Sequence, residues 1–257
     1  MMVQTTAGGP DTGALAGRAA LVTGGGRGIG AEIALALARD GADVAVTYVR
    51  AADRAAEVVT DIEAAGGRGL AIAADAADPA AVAAAVDQAA ATFGRLDILV
   101  NNAGIAPFGP LEEVVAEELD RTLAIHVRAA FVAAQAAARH LGPGGRVVNI
   151  GSSLAERVPY PGWTLYAMSK AALTGLTRGL ARDLGPRGIT VNVVQPGPTD
   201  TEMNPAGSAD AGVERGFTAL GRYAHPREVA ATVAHLAGPG GGYVTGASIP
   251  VDGGYTA

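Results

Sequence analysis

Seven short runs of apolar and β-branched residues recur along this chain, separated mostly by alanine-rich stretches with helical spacing. That alternation restricts the fold more than any other feature. The runs are 19–23, 43–48, 69–73, 98–101, 146–150, 190–195 and 248–251. The helical stretches are 28–40, 51–65, 79–93, 117–140, 166–184 and 227–237. Most of the runs lack polar alternation, as strands covered on both faces do. Strands that alternate with helices are joined by right-handed crossovers and lie parallel. The expected fold is α/β: a doubly wound parallel sheet of about seven strands with helices on both faces. Ligand chemistry belongs at the carboxyl ends of such strands.

At 257 residues the chain suits one such domain. Residues 1–17 read as a flexible tail and 18–257 as the domain. A hydrophobic content of 49% excludes a disordered chain. No apolar stretch reaches the roughly 18 residues of a membrane span. The tail has neither a basic region nor an apolar core, so no secretory signal is expected there. Cysteine is absent, which removes disulfides and thiolate metal sites and suits a cytoplasmic protein. His140, His225 and His235 lack ligand-like spacing, so no metal site is expected. A net charge of −6 disfavours binding to a nucleic-acid polymer. Segment 198–226 breaks the alternation and is long for a loop inside a compact domain, which points to a substrate lid.

The loop Thr23-Gly24-Gly25-Gly26-Arg27-Gly28-Ile29-Gly30 leaves the first strand and opens the first helix. Glycines there allow a sharp turn and the close approach of a pyrophosphate, which the helix N-terminus favours. No lysine follows in the pattern of a nucleotide-triphosphate loop.

Of 19 cationic Lys and Arg residues, Lys170 is the only lysine. A general bias to arginine explains the other positions and leaves this one needing a chemical reason. Lysine is a compact ammonium whose pKa is readily tuned. Tyr166, four residues earlier, shares a helix face with it.

The segments TGGGRGIG (23–30), Asn101-Asn102-Ala103-Gly104, Tyr166-Ala167-Met168-Ser169-Lys170 and Pro196-Gly197 together resemble the short-chain dehydrogenase/reductase family in identity, order and spacing. The likeness covers 17–257 and is strongest to the 3-oxoacyl-carrier-protein-reductase branch. The second half is also similar to a cyclic-di-GMP-binding biofilm-dispersal member. The resemblance implies a Rossmann-type sheet binding NADP(H) through Gly24, Arg27, Gly28, Ile29 and Gly30. Asn101, Ala103 and Gly104 would border the adenosine side, and Asp75 would meet the adenine. Pro196, Gly197, Thr199 and Thr201 would line the nicotinamide end, with Lys170 on its ribose.

The resemblance makes Tyr166 the general acid of carbonyl reduction, with the ammonium of Lys170 expected to lower its pKa. A serine at the end of the fifth strand would orient the substrate oxygen. Position on the strand selects Ser152, and spacing to Tyr166 selects Ser153; Ser152 is preferred. Where relatives often carry a water-holding asparagine, this chain has His126, either a substitute in a proton relay or a packed histidine. Tyr48 stands where NAD-preferring relatives place an aspartate, and Arg27 and Arg50 are cations near a 2′-phosphate, so NADP(H) is the expected cofactor.

The function expected is NADPH-dependent reduction of a ketone, or oxidation of the secondary alcohol, in a homotetramer whose small-residue stretch Ala129–Ala138 lets helices approach. Glu156, Arg157, Tyr160, Trp163 and 198–226 would shape the substrate pocket. The alternatives are a cyclic-di-GMP-type nucleotide sensor on the same fold and an imine reductase.

Overall fold

The computed structural model describes residues 13–257. Strands β1 (Ala19–Val22), β2 (Asp43–Tyr48), β3 (Gly69–Ala73), β4 (Ile98–Asn101), β5 (Arg146–Ile150), β6 (Thr190–Pro196) and β7 (Ser248–Val251) form one sheet. Its order is β3-β2-β1-β4-β5-β6-β7, and every neighbouring pair is parallel. Strand order reverses between β1 and β4, which opens a crevice at their carboxyl ends.

Successive side chains of a strand face opposite ways, and both faces here are covered. Leu21, Leu99, Val147 and Val191 pack under α3 (Pro79–Phe93), α5 (Ala129–Ala137) and α6 (Thr164–Leu184). Val22, Val46, Val100 and Val148 pack under α1 (Gly28–Arg39), α2 (Ala52–Ala64) and α8 (Pro226–Ala237). The lack of polar alternation follows directly from this two-sided burial. Local chemistry sets several helix ends. Asp78 accepts the Ala80 N–H at the start of α3, Pro79 fills its first turn, and Gly94 closes it in the left-handed region at φ 78°.

Three boundaries differ from the sequence reading. The helix expected over 117–140 is α4 (Ala116–Leu123), a wider π-type turn at Ala124–Arg128, and α5. Segment 198–226 contains a short helix, α7 (Ala211–Phe217). Residues 13–17, counted with the tail, pack on the domain: Leu15 is fully buried and donates its N–H to the Asp40 carbonyl at 2.7 Å. The rest of the tail lies outside the described residues. The helix-approach surface expected over 129–138 is also different. Ala129, Ala130, Ala133, Ala134, Ala136 and Ala137 are buried in the chain's own core, and the exposed side of α5 carries Phe131 and Gln135.

Candidate active site

The glycine turn lies at the reversal point. Gly24 and Gly28 have positive φ, at 63° and 55°. A Cβ on Gly24 would stand 2.9 Å from the Ala103 Cα, and one on Gly30 would stand 2.5 Å from the Gly24 carbonyl oxygen. Arg27 begins α1 in extended geometry without capping it, which leaves the first N–H groups of the helix free for an anion. The cradle therefore fits a dinucleotide pyrophosphate.

Two polar residues that sequence reasoning passed over hold this turn in place. The Thr23 hydroxyl accepts the N–H groups of Asn102 and Ala103 at 2.9 and 3.1 Å. The Asn102 amide donates to the carbonyls of Thr23 and Gly24 at 2.9 and 3.1 Å. Thr47 adds a third support by accepting the Gly24 N–H at 2.9 Å. Thr23 and Asn102 end adjacent strands, and that placement was the available signal. Asn101 is held from below the crevice. Its side chain turns beneath the crevice and donates to Asn149 at 2.9 Å, which donates to Thr177 at 2.9 Å. It lines the crevice with its amide nitrogen committed and its Oδ1 without a protein partner among the described residues.

The other expected cofactor positions gather around the same crevice. Tyr48 ends β2 without a carboxylate, and Arg50 follows it, exposed. Arg27 is exposed as well, and neither arginine forms an ion pair among the described residues. Asp75 follows β3 and accepts the Ala77 N–H at 2.8 Å. Gly104 faces His126 and Lys170: a Cβ there would lie 3.2 Å from the first and 3.5 Å from the second. Pro196 ends β6, Thr199 accepts no ligand role from its own geometry but is buried and donates to the Gly197 carbonyl at 2.9 Å, and Thr201 packs beside Gly28.

Across the crevice, Ser152, Tyr166, Lys170 and His126 come together. Ser152 follows β5, and its N–H donates to the fully buried Gln195 carboxamide at 2.6 Å. The Ser152 hydroxyl accepts the Leu154 N–H at 3.2 Å, and Ser153 is buried beside it. Lys170 is buried, and its Nζ donates to the Ile150 carbonyl at 3.0 Å. Burial lowers its pKa to about 8. The phenol of Tyr166 moves upward instead, chiefly through burial and only partly offset by Ser152. Tyr166 therefore holds its proton at neutral pH.

His126 lies in the π-type turn, edge-on to Tyr166 with ring centroids 5.8 Å apart. Its Nε2 accepts the Ile105 N–H at 2.9 Å, so that nitrogen carries no proton. Its Nδ1 is 2.7 Å from the Ser169 hydroxyl, which itself donates to the Tyr166 carbonyl at 2.7 Å. Nδ1 is therefore the donor, and the ring is neutral. Burial, then the Lys170 charge, lower its pKa to about 3. Both nitrogens are hydrogen-bonded to protein groups, an arrangement that ties the π-type turn to Ile105 and to Ser169 of α6.

Segment 198–226 is stitched at its two ends. Ala224 N–H donates to the Pro198 carbonyl at 2.8 Å, and Asp200 N–H to the Ala224 carbonyl at 2.9 Å. Glu202 pairs with Arg54 of α2 at 2.8 Å. Glu214 of α7 accepts the Tyr160 hydroxyl at 2.8 Å. The segment is thereby tied to α2 on one side and to the loop before α6 on the other.

A doubly wound sheet with a glycine turn at its reversal point, faced by a protonated tyrosine and a buried lysine, defines a dinucleotide-dependent oxidoreductase. Comparison with known proteins narrows this. The family model for enoyl-(acyl carrier protein) reductase matches residues 24–256. A short-chain dehydrogenase from Burkholderia cenocepacia, crystallised in complex with NADP, is 58% identical, with a TM-score of 0.94 over 95% of this chain and 99% of that one. A blue fluorescent protein from a metagenomic library, in complex with NADPH, is 56% identical, with a TM-score of 0.93 over 95% of this chain and 99% of that one. The cyclic-di-GMP-binding biofilm dispersal mediator protein of Escherichia coli is 44% identical over 245 residues, 95% of this chain and 100% of that protein. The chain belongs to the short-chain dehydrogenase/reductase family.

Proposed function

We propose that this protein reduces a ketone of a small-molecule substrate with NADPH, or oxidises the corresponding secondary alcohol with NADP. The observation that carries the reading is the protonated Tyr166 beside Ser152 and Lys170 at the crevice edge. NADP(H), present in two of the related crystal structures, supplies the hydride when bound. The backbone of Gly24, Gly28, Ile29 and Gly30 would hold its pyrophosphate, and Arg27 and Arg50 its 2′-phosphate. Asp75 would meet the adenine, with Tyr48, Asn101, Ala103 and Gly104 as walls. Pro196, Gly197, Thr199, Thr201 and Lys170 would border the nicotinamide half.

The remaining chemistry falls to the chain's own side chains. Ser152 orients the substrate oxygen, and Tyr166 delivers its phenolic proton to that oxygen. Lys170 supplies a positive charge close to the phenolate left behind. Segment 198–226 acts as the lid that excludes water. The chain assembles as a homotetramer, with the exposed Phe131 side of α5 as one contact. Nucleotide sensing of the cyclic-di-GMP type is the second reading, favoured by the end-to-end likeness to the dispersal mediator. An intact proton donor speaks for catalysis, since a sensor has no use for one.

NADPH oxidation measured against a panel of ketones tests the proposal. Tyr166→Phe is expected to lower kcat by about 100-fold, the scale of a lost general acid, while calorimetry shows NADPH binding retained. Near-normal turnover in Tyr166→Phe would remove the mechanism. Tight cyclic-di-GMP binding with no turnover of any ketone would favour the sensor.

A further inference from the structure

A chain of aromatic rings runs outward from the catalytic phenol. Tyr166 meets Trp163 edge-on at 5.4 Å between centroids, Trp163 meets Tyr160 at 6.3 Å, and Tyr160 stacks on Phe217 at 5.8 Å. At the far end stands the carboxylate of Glu214, with Asp210 near enough to raise the Tyr160 phenol as well. Its Oε1 accepts the Tyr160 hydroxyl at 2.8 Å, and its Oε2 accepts the Tyr223 hydroxyl at 3.0 Å and the Asn204 amide at 2.9 Å. A carboxylate offers about four acceptor positions. Three are filled by neutral donors, and the open one lies on Oε1, beside the aromatic rings.

Glu214 forms no ion pair among the described residues. The nearby cations are committed elsewhere: Arg157 donates to the Tyr255 carbonyl and lies over the rings of Phe217 and Tyr255, and Arg215 donates to the Ala206 carbonyl at 3.2 Å. The uncompensated charge is felt by its neighbours. After burial, Glu214 is the main influence that drives the Tyr160 phenol up to about 12, and it also raises Tyr166. An anion that makes the catalytic acid harder to ionise is a cost, unless the substrate brings the opposite charge.

We infer that the ketone carries an ammonium group at the end remote from its carbonyl, received by Glu214 and the rings of Tyr160 and Trp163. Aromatic faces attract cations, and a partly buried carboxylate adds a charge-assisted hydrogen bond. Binding the cation neutralises Glu214 and removes one of the charges that hold the Tyr166 proton, so the acid strengthens when the matching substrate is present. An anionic group entering the same end meets Glu214 at short range and is repelled. This inference rests on the ketone-reductase reading and adds the substrate's charge class to it.

The test uses three ketones of matched size, ending in an ammonium, a methyl or a carboxylate group, with NADPH oxidation as readout. The kcat/KM for the ammonium ketone is expected to exceed that of the neutral one by about 10-fold, and that of the carboxylate by more. Glu214→Gln should abolish the ammonium advantage. Tyr160→Phe, which breaks the lid contact but keeps the carboxylate, should preserve it. Equal rates for all three ketones, an advantage that survives in Glu214→Gln, or an equal loss in Tyr160→Phe would overturn the inference. Calorimetry of the NADP-bound protein with phenethylammonium and 3-phenylpropionate reads the same preference without chemistry. Tighter ammonium binding with no ketone turnover would sink the reductase reading alone. Turnover indifferent to charge, with neither probe preferred, would sink this inference alone.

Discussion

Lys170 is buried at the centre of the site, where one backbone carbonyl accepts its ammonium and burial moves its pKa to about 8. Arginine would bring five fixed donors and a charge that cannot be shed to a place that satisfies a single donor. The lone lysine among the cations was therefore a legible signal. His126 is the opposite case, because its type suggested titration and its surroundings forbid it. Its pKa of about 3 lies below the ordinary value of 6.5, so the unfolded chain takes up the proton first as pH falls. Stability contributed by the neutral ring is complete above pH 6.5 and is lost progressively toward pH 3. Glu228, pulled down to about 2 by Arg222, begins to cost stability only below the usual carboxylate range. Between pH 6.5 and 4.5 the decline belongs largely to His126 and amounts to about 2 kcal/mol. Denaturant melts of His126→Asn against the parent should show a flatter stability profile in that window. An unchanged slope would mean that the ring is already protonated in the folded protein.

At the scale of elements, the phosphate turn is shaped by glycine but anchored by Thr23 and Asn102. Asn102→Ala removes two hydrogen bonds to the turn and leaves the carbonyls of Thr23 and Gly24 without their donor. NADPH binding measured by fluorescence titration should weaken by about 10-fold, the effect of roughly one net hydrogen bond. Binding at parental strength would show that glycine geometry alone holds the turn. The long helix gives a similar lesson. Its apolar pattern runs through residues 117–140 without a break, since a π-type turn inserts no residue of special chemistry. The turn is visible only in the backbone, where it brings His126 to Ile105 and Ser169.

Two predictions belong to the whole molecule. Arg27 and Arg50 flank the end of β2, where no carboxylate opposes a 2′-phosphate, so kcat/KM should favour NADPH over NADH by about 10-fold or more. Arg27→Ala should reduce that ratio selectively, and a parent protein that prefers NADH would overturn the assignment. Light scattering at micromolar concentration should give the mass of four chains, with Phe131→Asp shifting it downward; a monomeric parent would refute the tetramer.

The strand runs, the glycine turn, the Tyr166–Lys170 pair and the family were all readable in the sequence. Periodicity and short motifs act over a few residues, and two-sided burial writes itself directly into apolar runs. The hydrogen bonds that hold Asn101, the inward-facing alanines of α5 and the neutral state of His126 were decided by the tertiary structure. So was the place of Glu214, 48 residues beyond Tyr166 in the chain yet close enough to raise its phenol. Each depends on which groups distant in sequence meet at the crevice, and on how much water burial leaves around them.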